Sequence, residues 1–419
     1  MALTKSAATG YAGGLEVSMP RASTPAFVLP DAIDVEGMGI DSLQATWLGG
    51  SAKDKLLEAA KDAGLSTAPP QSGQPVLTLS PGTVATAGAL RRFRKLCDGA
   101  DTDRVGRLAG EPGTYSDMPA LGAPARLLWL ARGGRWSQAA CDQAQMVEVE
   151  APHRPWKLPA RDPESGEHAV IPMADAVLVN MAHWSGVLWA NLLSLPPGLW
   201  GLLLGKSPLR AAVSAVRGLA RARSFQPDTL AQAASVVGRR ARVHPTAVVE
   251  ASYVAPGAEI GPGAIVRQSV VGPGAIIEPQ AMLIASVMGP GARLRRRAWI
   301  KYAVLMDRAV HGGVAQLTVL GPDATTKGLS ALMDQKLGGP VRVKREGGLH
   351  PVPLGFLGVG VGARTVVGSG VWVAAGRTLP PDKWVVRAAD AVLSRPDEAT
   401  TAVEVLDAPP ENRGPAAAL

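Results

Sequence analysis

Residues 254–304 read VAPGAEIGPGAIVRQSV (254–270), VGPGAIIEPQAMLIASV (271–287) and MGPGARLRRRAWIKYAV (288–304), three copies of one 17-residue unit. Each copy places a large aliphatic residue at five- or six-residue intervals: Val254, Ile260 and Val266, then Val271, Ile277 and Leu283, then Met288, Leu294 and Ile300. Four residues after each stands something small or β-branched, as at Ala258, Ala264 and Val270. Pro256-Gly257, Pro273-Gly274 and Pro290-Gly291 mark the same corner of every copy. Gly and Pro this frequent would interrupt a helix in every second turn. Three short strands per copy fit instead, making one triangular turn of a parallel β-helix. The aliphatic residues point inward and stack on their equivalents one coil away. A single coil cannot bury its apolar face, so the unit requires its neighbours.

Outward from this stretch, the repeat starts imperfectly at Val243 and Val249 and resumes at Val361, Val367 and Val373. Residues 305–356 break the period and are expected to form an excursion from the coil. Arg377 stands where a corner needs a small residue, so the coil is expected to end near Leu379, capped by Pro380-Pro381 and a Trp384–Val386 strand. The pattern resembles the hexapeptide-repeat transferases, including sugar nucleotidyltransferases that carry such a tail. That resemblance implies a left-handed coil, against the usual crossover rule.

Toward the N-terminus, strand-like and helix-like segments alternate from Ala26 to about Asn180. AFVL (26–29), VLTLS (76–80), RLLWLA (126–131), MVEVE (146–150) and DAVLVN (175–180) read as strands. Ser51 caps a helix through KDKLLEAAKDA that Gly64 stops, and AGALRRFRKLC (87–97) reads as a second helix. The alternation predicts an α/β layer with a mostly parallel sheet. His183-Trp184-Ser185-Gly186-Val187-Leu188-Trp189-Ala190-Asn191 is similar to the helix that joins the two domains of such nucleotidyltransferases, matching at Trp184, Leu188, Ala190 and Asn191. The family's Gly-rich nucleotide loop is missing around FVLPDA (27–32), and Pro81-Gly82 replaces its metal-binding Asp. The expected organisation is a flexible N-terminus (1–25), a reduced, degenerate nucleotidyltransferase-like α/β domain (26–195), a helical linker (196–240), a left-handed β-helix (241–395) and a disordered tail (396–419).

Residues 184–204 carry no charge and precede Lys206, Arg210, Arg217, Arg221 and Arg223. Pro196-Pro197 and Asn191 argue against a membrane-spanning helix. Two short helices packed on the β-helix explain the same residues, and contact with a membrane surface is the weaker alternative. The first 25 residues lack an apolar core of signal-peptide length, which places the chain in the cytoplasm.

The 419 residues carry 43 Lys and Arg against 35 Asp and Glu, a net charge of +8. This balance favours anionic ligands such as phosphates or coenzymes. Phe and Tyr number four each and no stacked aromatics interleave with the basic residues, so no nucleic acid is expected. Cys97 and Cys141 are the only cysteines, with no metal-ligand spacing, so neither a disulfide scaffold nor a metal is expected.

The resemblance implies a His on a loop leaving the β-helix as general base, and His311 opens the excursion between 305 and 356. A solvent-facing loop histidine is the plain alternative, and His350 is a second choice. Arg293, Arg295, Arg296, Arg297 and Lys301 lie on one corner and its adjoining faces, suited to a coenzyme A or nucleotide phosphate or else to a solvated face. The glycines of GFLGVGVGARTVVGSG are followed by the β repeat and not by a helix, so they are corners and not a dinucleotide motif. Two functions follow. One is a transferase, most simply a coenzyme A-dependent acyltransferase on a sugar phosphate or nucleotide sugar. The other is an inactive scaffold or ligand sensor. The family resemblance further implies a homotrimer with parallel axes.

Overall fold

The computed structural model describes residues 24–109, 124–151, 153–158, 169–204, 235–336, 338–345, 347–352 and 355–388. The expected flexible N-terminus up to residue 23, residues 205–234 of the linker and the tail from 396 lie outside them.

The chain folds as a mixed α/β region followed by a parallel β-solenoid. The first sheet runs in the order Ala26–Phe27, Val76–Leu79, Leu127–Leu130, Arg104–Leu108, Gln145–Val149. Its outer pairings are parallel and the two that involve Leu127–Leu130 are antiparallel. The sheet is therefore mixed, where alternation alone predicted a mostly parallel one. The helices Ala52–Asp62 and Ala87–Cys97 form where expected. Ser51 Oγ accepts the Asp54 amide at 3.1 Å and donates to the Asp54 carboxylate at 2.7 Å, and Gly64 ends the helix at φ 77°.

Three parallel sheets of eight, eight and seven strands make the solenoid. We call them faces A, B and C in chain order. The predicted register holds: Val254, Val271 and Met288 pair along face A, Ile260, Ile277 and Leu294 along face B, and Val266, Leu283 and Ile300 along face C. These axial side chains are all buried. The A–B corner needs positive φ, which Gly257, Gly274 and Gly291 supply at 64–72°. Later coils place Arg308, Asp323, Arg364 and Asp382 there at 55–59°. The Arg308–Asp323 and Arg364–Asp382 pairs are bidentate, at 2.6–2.7 Å. At the C–A corner a serine ladder satisfies the turning backbone. Ser252, Ser269 and Ser286 each donate an amide to the serine one coil before, and Ala303 donates to Ser286, at 3.0–3.2 Å.

The coil does not stop at residue 305. Leu305 pairs with Leu320, Ile300 with Ala315 and Ala315 with Leu332, so the predicted excursion at 305–356 shrinks to the segment after Leu332. Two residues are missing from one B–C corner, where Gly312-Gly313 stands in place of the longer Arg295–Ala298 turn. That shortens the coil to 15 residues between Leu305 and Leu320, which hides it from a fixed-period reading. Glycine is required there, since a Cβ on Gly313 would lie 2.0 Å from the Ser330 carbonyl oxygen. The true excursion carries an antiparallel hairpin, Arg342–Arg345 with Gly348–Pro351. Beyond Leu379 the coil also continues, because Trp384–Val385 joins face B as its last strand.

One helix, Trp184–Leu204, joins the two parts and includes Pro196 and Pro197. Two short helices were expected. Each proline forfeits one backbone bond but keeps a helical φ, and the buried run from Trp184 to Leu195 already fixes the direction. Asn191, a polar residue of this run beside Ser185 and Ser194, donates to the Thr46 carbonyl (2.8 Å) and accepts from the Leu48 amide (2.9 Å). Trp184 docks on face A: its indole N–H donates to Thr378 Oγ1 at 2.8 Å. Gly360 makes the room, since a Cβ there would lie 2.6 Å from Trp184 Cγ. Val270, Val287, Val304 and Val319, which point outward from face A, are buried in the same core. The Trp184–Leu203 stretch is long and apolar enough to cross a membrane, and 65% of it is buried inside the protein.

Candidate functional site

His311 is not on a loop. It occupies the axial position of face B directly after Leu294, with no exposed surface. Its Nδ1 shares a 2.7 Å hydrogen bond with Thr326 Oγ1, the next axial residue. Burial pushes its pKa down to about 4, only partly opposed by the backbone at Gly313 and Trp299. A sealed, neutral imidazole of this kind cannot reach an acceptor, so the expected general base is a core residue. His350 sits on the hairpin opposite Val343, half-buried.

The arginines fare differently. Arg293 points outward on face B, and Arg295, Arg296 and Arg297 follow it around the B–C corner. Glu278, one coil earlier, ties this corner together: its carboxylate accepts the Arg296 amide at 3.0 Å and lies 3.6 Å from Arg293 Nη1. Arg297 Nε donates to Gln280 Oε1 at 3.0 Å. Lys301 does not join them. It lies on face C, with its ammonium 4.8 Å from the centre of the Tyr302 ring, and burial lowers its pKa.

Beside the arginine corner, face B carries a groove of about 640 Å³ over the first coils. Arg242, His244, Glu259, Ile276 and Glu278 line it. Arg242 is paired with Glu259. His244 Nδ1 accepts the Thr246 amide at 3.2 Å, which leaves Nε2–H as the donor of the neutral ring. With one Arg against two Glu, the groove itself suits hydroxyl or amine donors and not phosphate. The corner next to it, with four Arg against Glu278, has the opposite character. Sequence reading singled out the corner but not the groove, because Arg242 and His244 lie in an imperfect early coil and meet Glu259 and Glu278 only when the coils stack.

Two other places offer no site. The crevice beyond the Phe27 and Leu79 strand ends is filled by the chain itself. Gly82 donates its amide to the Asp31 carbonyl at 3.1 Å, and Ile33 Cδ1 lies 2.2 Å from where a Cβ on Gly82 would stand. Cys97 is buried and its thiol is pushed up to about 12, which removes thiolate chemistry. Among the described residues no group of three His, Cys, Asp or Glu side chains gathers to hold a metal.

No family model matches this chain, and no curated protein matches it. Among solved structures it is similar to PerB from Caulobacter crescentus in complex with CoA and GDP-perosamine. The match has 19% identity and TM-score 0.18, covering 36% of this chain and 54% of that one. It is also similar to a variant of perosamine N-acetyltransferase from Caulobacter crescentus, in complex with the same two molecules. Here the identity is 20% and the TM-score 0.16, covering 36% of this chain and 53% of that one. The chain thus spans about half the length of these structures. The identities and scores place them as a loose likeness, too distant to define a family or an activity.

Proposed function

We propose that this chain is a coenzyme A-dependent acyltransferase acting on a sugar phosphate or nucleotide sugar, with its ligand site on face B. The observation that carries this reading is the juxtaposition, through Glu278, of an acid-lined groove and an arginine corner. A nucleotide sugar has this polarity: hydroxyl and amine donors on the sugar face Glu259 and Glu278, and phosphate oxygens meet Arg295, Arg296 and Arg297. In transfer, an acceptor amine or hydroxyl attacks the thioester carbonyl and gives its proton to a groove carboxylate, the carbon–sulfur bond breaks, and the departing thiolate takes that proton and leaves as the thiol. His244 contributes a hydrogen-bond donor at the rim. The outward apolar ladder Ile265, Met282, Trp299 and Val314 on face C supports assembly with parallel axes, most simply as a trimer.

Calorimetry with acetyl-coenzyme A and a panel of nucleoside-diphosphate sugars tests the site. Replacing Arg296 and Arg297 together by Ala should weaken binding by about 1.5–3 kcal/mol per lost charge-assisted bond at most. Full binding by that variant would place the ligand elsewhere. The second reading, an inactive scaffold, draws on the burial of His311 and the filling of the Gly82 crevice by Ile33, and expects no heat from any of these ligands.

A further inference from the structure

The three sheets of the solenoid end on Thr378–Leu379, Trp384–Val385 and Trp372–Val373. At this end two tryptophans face outward, Trp372 73% and Trp384 80% exposed. They flank one B–C corner. Val386 follows Trp384 toward it and is 64% exposed, and Leu329 holds the same corner one coil earlier, 85% exposed. These positions adjoin: a Cβ on Gly368 would lie 3.3 Å from Val386 Cγ1, one on Gly370 would lie 3.3 Å from Arg387 Nη1, and the Gly370 amide reaches the Gly328 carbonyl at 3.3 Å. Two indoles and two aliphatic side chains thus stand exposed around one corner, the apolar rim of this end of the solenoid. Lys327, Lys383 and Arg387 border it. Residues 327–388 hold nine Lys and Arg against three Asp and Glu, a surplus of six within the net +8 of the whole chain. One of the acids, Asp382, is held by Arg364.

We infer that this rim docks the solenoid end-on against the surface of an anionic lipid bilayer, with Trp372, Trp384, Leu329 and Val386 entering the headgroup boundary and the bordering cations resting on lipid phosphates. Indoles favour that boundary, and each nearby cation adds attraction to an anionic leaflet. End-to-end stacking with a second copy is disfavoured by charge, because the opposite end of the solenoid exposes Arg239 and Arg240. A nucleic acid would stack on the indoles but leave Leu329 and Val386 facing water. Trp372 lies two coils beyond Val314 in the same outward column of face C, so the inference requires the assembled face to end at Val314, and it stands apart from the proposed transfer activity.

Co-sedimentation of the full chain with phosphatidylcholine vesicles, with and without about 30 mol% phosphatidylglycerol, tests it. Binding is expected only with the anionic lipid, and should weaken as salt shortens the Debye length. Trp372→Ser with Trp384→Ser, and separately Lys383→Glu with Arg387→Glu, should each reduce partitioning by about tenfold or more. All four side chains are on the surface, so thermal melts of both variants should match the parent. No binding to anionic vesicles overturns the inference. So does equal binding by both variants, which would assign contact to another surface, and so does binding of a single-stranded oligonucleotide or self-association in place of vesicle binding.

Discussion

His311 gives the sharpest test of where the structure departs from the sequence expectation. Its imidazole titrates near 4 in the folded chain against an ordinary value of 6.5. The unfolded chain therefore binds the extra proton between these values. The stability this neutral histidine contributes is complete above about pH 6.5 and lost by about pH 4. The 2.5-unit difference corresponds to about 3 kcal/mol over the whole window, of which about 2 kcal/mol is lost between about pH 7.5 and about pH 5. His311→Leu continues the aliphatic stack from Leu294 and removes the titration, at a cost of about 1 kcal/mol for the lost Thr326 bond, while Thr326 Oγ1 keeps the Gly312 amide at 3.2 Å. Urea unfolding of parent and variant at the two pH values isolates the effect, because all other groups titrate in both. The parent should lose about 2 kcal/mol more than the variant on acidification. Equal losses would refute the buried, neutral assignment. An accessible catalytic histidine would give that result, together with a loss of activity in the variant.

Further outcomes follow from the packing. His183, also buried with its pKa lowered to about 4, should behave in the same sense, so His183→Leu should also flatten the acid limb of the stability curve. Ile277→Asp places a charge between Ile260 and Leu294 and should cost several kcal/mol, about 3–5; soluble protein with an unchanged melting temperature would contradict the register. Gly360→Leu drives a side chain into the Trp184 indole and should cost about 1–3 kcal/mol, seen as a lower melting temperature, whereas an unaltered melt would mean the helix does not dock on face A as described. Light scattering should give three times the 43.3 kDa chain mass, and a monomer at micromolar concentration would remove the trimer.

The solenoid was legible because its information is local and periodic. Val254, Ile260 and Val266 announce three inward positions per coil, and stacking does the rest. What escaped was whatever changed the period. Gly312-Gly313 deletes two residues from one corner, and a fixed 17-residue ruler then reads one intact coil and the three strands of the next as an excursion and a core histidine as a loop histidine. The serine ladder was visible as Ser252, Ser269 and Ser286, but its role depends on amides from neighbouring coils. The α/β region carried correct strand and helix positions, yet strand direction depends on pairings such as Leu77 with Trp129 that no local pattern encodes. The arginine corner could be read from Arg293–Arg297 because those residues are adjacent in sequence. The groove beside it combines residues from 241 to 279 and became visible only in three dimensions.

The proposal that face B carries acyl transfer is tested most directly by thiol release from acetyl-coenzyme A in the presence of nucleoside-diphosphate amino sugars. The parent chain should release thiol and acetylate at least one of them. His311→Leu should keep that activity, while Glu278→Gln should lose about 10²-fold or more with removal of the groove carboxylate. No acetylated product with any acceptor from the folded, assembled parent would contradict the transferase reading and leave the scaffold.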